Sequence, residues 1–288
     1  GRRECDEQQQ RCARTHGAHD AQASPARSRV RGPGECSVVS FNSPAEHILS
    51  NLLRPRRSGL RWRELSLAAM LVVASGCGGV HTLGPLQLVP GAAGLAPISW
   101  LSPTHEPDAA TLRRWRAAVG SPLVVRAQPA DEVRAVDALT VVTWNVALDG
   151  GDVVGFVREL RSRAPERPVV LLLQEAFRGG DDVPTASEHP GGSHLGRCDA
   201  AREIDHVASE LGFSLYYMPS MRNGLHREDR GNAVLSSIPI DDLSAIELPF
   251  ERQRRVAQAV RVSGRTTAGA PWSLRLVNVH LDNRVSAR

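Results

Sequence analysis

From residue 139 onward, apolar and polar positions along the 288-residue chain change period in a definite order. Residues 139–146, LTVVTWNV, favour a strand and carry a Trp-Asn pair just ahead of the glycines at 150 and 151. Residues 152–164 place Val153, Phe156, Val157 and Leu160 at helical spacing behind Asp152, a good N-cap, so a helix is expected there. Residues 169–173, VVLLL, form a continuous apolar run, which predicts a strand buried on both faces. A glycine-rich loop is expected over 179–198. A second helix is expected over 200–211, with Ala201, Ile204, Ala208 and Leu211 on one face and Gly212 as its stop. Further strands are expected at 213–218, 232–236, 255–262 and 273–280, with no helical period between them, so this second part reads as antiparallel. Strand, helix, strand and then a run of strands is an α/β pattern.

Upstream the pattern dissolves. Residues 1–59 show neither alternation nor a sustained helical period and read as a disordered or mis-annotated leader, with no Met before Met70. Residues 60–77 set Arg61 and Arg63 before a short apolar run, 65–74, too short to span a bilayer but suited to a signal-peptide core. Its end, Ala74-Ser75-Gly76-Cys77, resembles the lipobox of bacterial lipoproteins, whose cysteine is diacylated. That resemblance implies a lipid anchor at Cys77, contact with a membrane, and a secreted or membrane-anchored protein. Ala74 in place of the usual Leu and Glu64 within the basic flank depart from the pattern, and a buried core helix is the competing reading of the run. Residues 78–137 read as a Gly/Pro-rich spacer with one short helix over 108–118, and 138–288 as the folded domain.

Composition narrows the partners. All 35 basic residues are Arg, in functional and featureless stretches alike, which points to GC-rich coding rather than to guanidinium chemistry. The net charge of +4 divides unevenly: residues 1–77 hold 12 Arg against 7 acids, and residues 78–288 hold 23 against 24. The body therefore lacks the overall cationic excess that tight, sequence-independent nucleic-acid binding draws on. Cys5, Cys12, Cys36, Cys77 and Cys198 show no Cys-x-x-Cys spacing, which argues against a zinc site and a disulfide framework. No protein partner is expected.

Chemistry gathers at the strand ends. Asn145 closes the first strand, where an Asn commonly bonds its own backbone in a turn. One helix later Gln174-Glu175 follows the apolar run, and two strands joined through a helix tend to lie parallel and close, bringing Asn145 and Glu175 to the same sheet edge. A carboxylate beside an amide suits one hard divalent cation that keeps several waters and takes other ligands from a phosphate.

WN at 144–145, QE at 174–175, RGNAVLS at 230–236 and NVHLD at 278–282 together resemble, in order and rough spacing, the endonuclease/exonuclease/phosphatase superfamily. Deoxyribonuclease I, abasic-site endonucleases, neutral sphingomyelinases and inositol polyphosphate 5-phosphatases belong to it. The resemblance covers about residues 139–288 and implies a four-layer α/β/β/α sandwich of the deoxyribonuclease I type. It implies Mg2+ (or Mn2+) as cofactor, Glu175 as metal-binding carboxylate, and Asn145 as the amide that binds metal or orients phosphate. It further implies His280 as a contact to the scissile phosphate, with Arg230 and Asn232 lining the substrate site. For His280 the bland alternative is a half-buried structural histidine, for Asn232 a sheet-bonding amide, and for Arg230 a solvated loop charge.

The implied reaction is hydrolysis of a phosphodiester or phosphomonoester by in-line attack of water. Its substrate is a nucleic acid, phospholipid or sugar phosphate, and the 179–198 loop is a reasonable place for that choice to be made. The Gly-Asp-x-Asn and Ser-Asp-His motifs that carry the family's remaining ligands and its general base are not in this sequence. The chain is therefore expected to hold about the first half of the domain and to be inactive alone. A lipid-anchored binding protein of the same fold, without catalysis, is the alternative. In a version of the protein that includes the missing motifs, Glu175→Gln should abolish magnesium-dependent hydrolysis of an aryl phosphodiester; unchanged turnover would remove Glu175 from the chemistry.

Overall fold

A computed structural model of the chain describes residues 36–42, 86–89, 92–93, 96–127, 135–147, 151–185 and 202–281. The segment 60–77, with Cys77, lies outside the described residues, as does most of the 179–198 loop. No helix among the described residues is long and apolar enough to cross a membrane.

The architecture is α/β, with two mixed sheets. Sheet A takes the order β1-β7-β8-β10-β9-β6 and sheet B the order β13-β12-β11-β5-β2, with a separate β3-β4 pair. In sheet A, β1 (Cys36–Asn42) lies antiparallel to β7 (Ala138–Asn145), which runs parallel to β8 (Val169–Gly179). β10 (Glu228–Ser236) is antiparallel to β8 and to β9 (Ser214–Arg222), and β6 (Leu123–Val125) closes the far edge against β9. Sheet B joins β13 (Pro271–Val279), β12 (Val256–Arg265) and β11 (Asp241–Glu247) antiparallel. It then adds β5 (Ser99–Pro103) parallel to β11, and β2 (Leu86–Val89) antiparallel to β5.

β8 shows why the sequence folds this way. Val169, Leu171 and Leu173 enter one core with α2 (Val153–Arg163) and α3 (Ile204–Leu211), while Val170 and Leu172 enter a second core shared with sheet B. Strand alternation sends successive side chains to opposite faces, so an all-apolar run serves two cores at once. Each of these side chains contributes about 1.5–3 kcal/mol by leaving water. The result is a layer of helices, sheet A, and sheet B in that order.

The expected helix ends are physical. Asp152 Oδ1 accepts from Gly155 N at 2.8 Å, an N-cap that contributes about 1 kcal/mol. Gly212 takes the left-handed conformation (φ 64°) and closes α3 by donating to Ala208 and Ser209 carbonyls.

Several expectations need correction. Residues 78–137 are more than a spacer: besides α1 (Asp108–Ala117) they supply β2, β5 and β6 to the two sheets, along with β3 (Ala92–Ala93) and β4 (Ala96–Pro97). Residues 36–42, within the leader, pair along the whole of β7, whose outer edge otherwise offers unpaired backbone groups. α3 starts at Ile204 rather than at 200, because Glu203 is extended. β8 runs on through Gln174-Glu175 to Gly179, so the motif sits inside a strand rather than at its end. β11 was not anticipated; its opening Asp241 and Asp242 are ion-paired on the sheet surface with Arg261 and Arg275, which hides the strand behind charge.

The sheets are also tied by hydrogen bonds. Asn278 Nδ2 donates to Leu173 O (2.8 Å) and Ala233 O (3.1 Å), carrying β13 onto β8 and β10. Asn278→Ala should lower stability by about 2 kcal/mol, the cost of leaving buried carbonyls unmet, measured by urea unfolding. A loss under about 0.5 kcal/mol would show that packing alone holds the sheets.

Candidate functional site

The site lies where β7, β8, β10 and β13 come together. Asn145 ends β7 and is the register partner of Gln174 on the parallel neighbour β8. One residue on, Glu175 has φ +56°, a left-handed conformation inside a strand. The pairing shows why: Gly231 opposes Ala176 and Ala233 opposes Leu173, so Asn232 alone faces both Gln174 and Glu175. This two-against-one bulge re-aims the carboxylate at a cost of about 1–2 kcal/mol for a residue with a Cβ.

The RGN of the third motif has a separate reason at each position. Gly231 is required, because a Cβ there would stand 2.1 Å from Met218 O and 2.7 Å from Pro219 Cα on β9. Asn232 is 3% exposed and its Nδ2 donates to Val256 O of β12 at 2.8 Å, so its amide binds sheet to sheet. Arg230 is 5% exposed, and its Nη1 is buried without a hydrogen-bond partner. Burial pushes the Arg230 pKa below its ordinary value; the Glu175 carboxylate works against that, and the neighbouring Arg255 adds to it. A buried, incompletely satisfied guanidinium beside one carboxylate is a place where an anion is stabilised.

His280 follows β13 and shares the inward face of Leu276 and Asn278. Its Nε2 stands 3.8 Å from Glu175 Oε1, and its Nδ1 lies 3.2 Å from Arg255 Nη1. Glu175, His280, Arg230 and Arg255 therefore form one charged group. Asn145 is next to it in register, opposite Gln174, and its Oδ1 accepts from Ala147 N at 2.9 Å, the turn bond expected of a strand-ending Asn. That leaves the oxygen's second lone pair for a ligand.

Sequence reasoning missed three residues. Gln174 Nε2 donates to Asn278 Oδ1 at 2.7 Å and to Leu172 O at 3.0 Å, which couples the second and fourth motifs directly and sets His280 beside Glu175. Both amides sit inside the motifs and were open to being found there. Arg255, in ERQRRV, looks like any loop charge until the fold brings it to His280.

A different set, Glu203, Asp205 and His206 at the start of α3, places its ligand atoms within 4.8 Å of one another on a largely accessible surface. It stands near Gly179, at the far end of β8, and is not part of the Glu175 group.

Compared with protein families, curated proteins and solved structures, the chain matches none.

Because Glu175→Gly and Glu175→Ala both delete the carboxylate, their difference isolates the backbone. The Gly variant should be the more stable by about 1 kcal/mol, the left-handed penalty less the extra freedom of unfolded Gly. Thermal or urea unfolding reads this, and an Ala variant of equal stability would refute the bulge geometry.

Proposed function

We propose that the chain carries the metal- and phosphate-binding side of a Mg2+-dependent phosphoesterase of the endonuclease/exonuclease/phosphatase type, in a four-layer sandwich of the deoxyribonuclease I kind, secreted or anchored at Cys77. The observation that carries this reading is the buried Arg230 guanidinium, short of one partner and set beside a strained Glu175. A strained backbone and a buried guanidinium short of a hydrogen bond, brought together at one point, support a binding role.

The donor set fits the cation. Glu175 with the remaining lone pair of Asn145 Oδ1 offers hard oxygen ligands in small number, as Mg2+ or Mn2+ takes them when a phosphate completes the shell. When bound, the ion would supply Lewis-acid stabilisation of charge on the phosphoryl oxygens. Arg230 would bind the phosphate by charge-assisted hydrogen bonds, with His280 beside Glu175 helping to orient it. Asn232, its Nδ2 given to Val256 O, holds the floor on which these groups stand.

Mn2+ titrated into the 288-residue chain and followed by electron paramagnetic resonance should bind, and Glu175→Gln should weaken it by at least about tenfold. Inorganic phosphate should tighten Mn2+ in the wild type but not in Arg230→Met. If Mn2+ binding survives Glu175→Gln and is lost in Asp205→Asn, the metal belongs to the α3 group and the reading fails.

A further inference from the structure

We infer that Arg255 is a positioning residue that selects the tautomer of the neutral His280 ring, holding Nδ1 as the acceptor and the hydrogen on Nε2, so that His280 presents a hydrogen-bond donor to phosphate.

Arg255 Nη1 lies 3.2 Å from His280 Nδ1. A guanidinium has donors only and stays protonated, so the shared hydrogen belongs to Arg255 and Nδ1 must present its lone pair. A neutral imidazole that accepts at Nδ1 carries its hydrogen at Nε2. That nitrogen faces Glu175, whose Oε1 is 3.8 Å away, beyond direct hydrogen-bond reach. An N–H and a carboxylate held at this separation flank the space in which an anionic oxygen and a cation would meet.

Position supports the assignment. Arg255 immediately precedes β12, and Leu248 N donates to its carbonyl at 2.9 Å, so its backbone is fixed at the end of β11. His280 is fixed from the other side, through Asn278 two residues earlier. The two side chains meet because β12 and β13 are register partners, Ala257 with Val279. Arg255 also lies close enough to Arg230 to lower its pKa further. Two guanidiniums whose charges act on each other beside the Glu175 carboxylate are stabilised together when an anion arrives.

This rests on the phosphoesterase reading only in saying what the Nε2 proton is for; the tautomer itself is argued from the Arg255 contact.

The test is long-range 1H–15N correlation of histidine-labelled chain without metal or substrate, about two pH units above the ordinary imidazole pKa. His280→Gln identifies the resonance. The wild type should show a single tautomer protonated at Nε2, Arg255→Lys should keep it, and Arg255→Met should give a mixture of the two tautomers. A wild-type His280 protonated at Nδ1 overturns the inference, as does an Arg255→Met spectrum identical to wild type. Should Arg255→Met fail to fold, the wild-type spectrum alone retains the power to refute. Because no metal or turnover is involved, failure here leaves the Mn2+ experiment standing, and failure there leaves this one.

Discussion

The side-chain amide of Asn278 is the contact on which the site depends. Its Nδ2 serves the carbonyls of Leu173 and Ala233, the register pair flanking the bulge, and its Oδ1 receives Gln174. A bulge leaves backbone groups without their ladder partners, and in a buried place they must be met by something else. An amide from the facing sheet does so, and by the same bonds it fixes how far β13 stands from β8. The bulge that aims Glu175 and the strand that delivers His280 are thus stabilised by one residue, so neither can shift alone.

Charge inside the protein follows a related rule. Arg178 is paired with Asp229 at 2.5 Å, while Tyr217 Oη and Gly120 N also donate to that carboxylate. Burial alone would lower the Arg178 pKa, but Asp229, Tyr217 and Asp182 together more than offset it and hold the pKa above its usual value. Arg254 is paired with Glu247 at 2.5 Å, and Glu247 also takes Arg116. Arg222 caps the carbonyls of Ala118, Pro184 and His226, fastening the turn after α1 to two loops. In each case a buried cation is offset by a carboxylate or by converging carbonyls, as the cost of removing a charge from water demands. Arg230 and Arg254 each keep one buried nitrogen without a hydrogen bond, but Arg254 also bonds Glu247 and the carbonyls of Pro219 and Ser220, whereas Arg230 lies beside the candidate ligand Glu175.

What the sequence showed and what it hid follow from the range of the forces involved. The VVLLL run, the Asp152 cap and the Gly212 stop were readable because each depends on neighbours within a few residues. The parallel approach of Asn145 to the Glu175 strand was readable because a strand-helix-strand unit has few ways to pack. β11 was not, since Asp241 and Asp242 look like loop residues until Arg261 and Arg275 arrive from other strands. Arg230 and Arg255 were the hardest, because in HREDRG and ERQRRV nothing local separates a cation bound for the interior from one bound for solvent. Asn232 presents the opposite case: chosen for the substrate, its amide is engaged in binding β10 to β12.

The left-handed backbone at Glu175 sets the ease of the fold against the presence of a side chain. Glycine would accept that conformation without steric cost. The carboxylate is therefore held at the expense of the backbone that carries it, as are the side chains of Ala147 and Asp242 elsewhere in the chain.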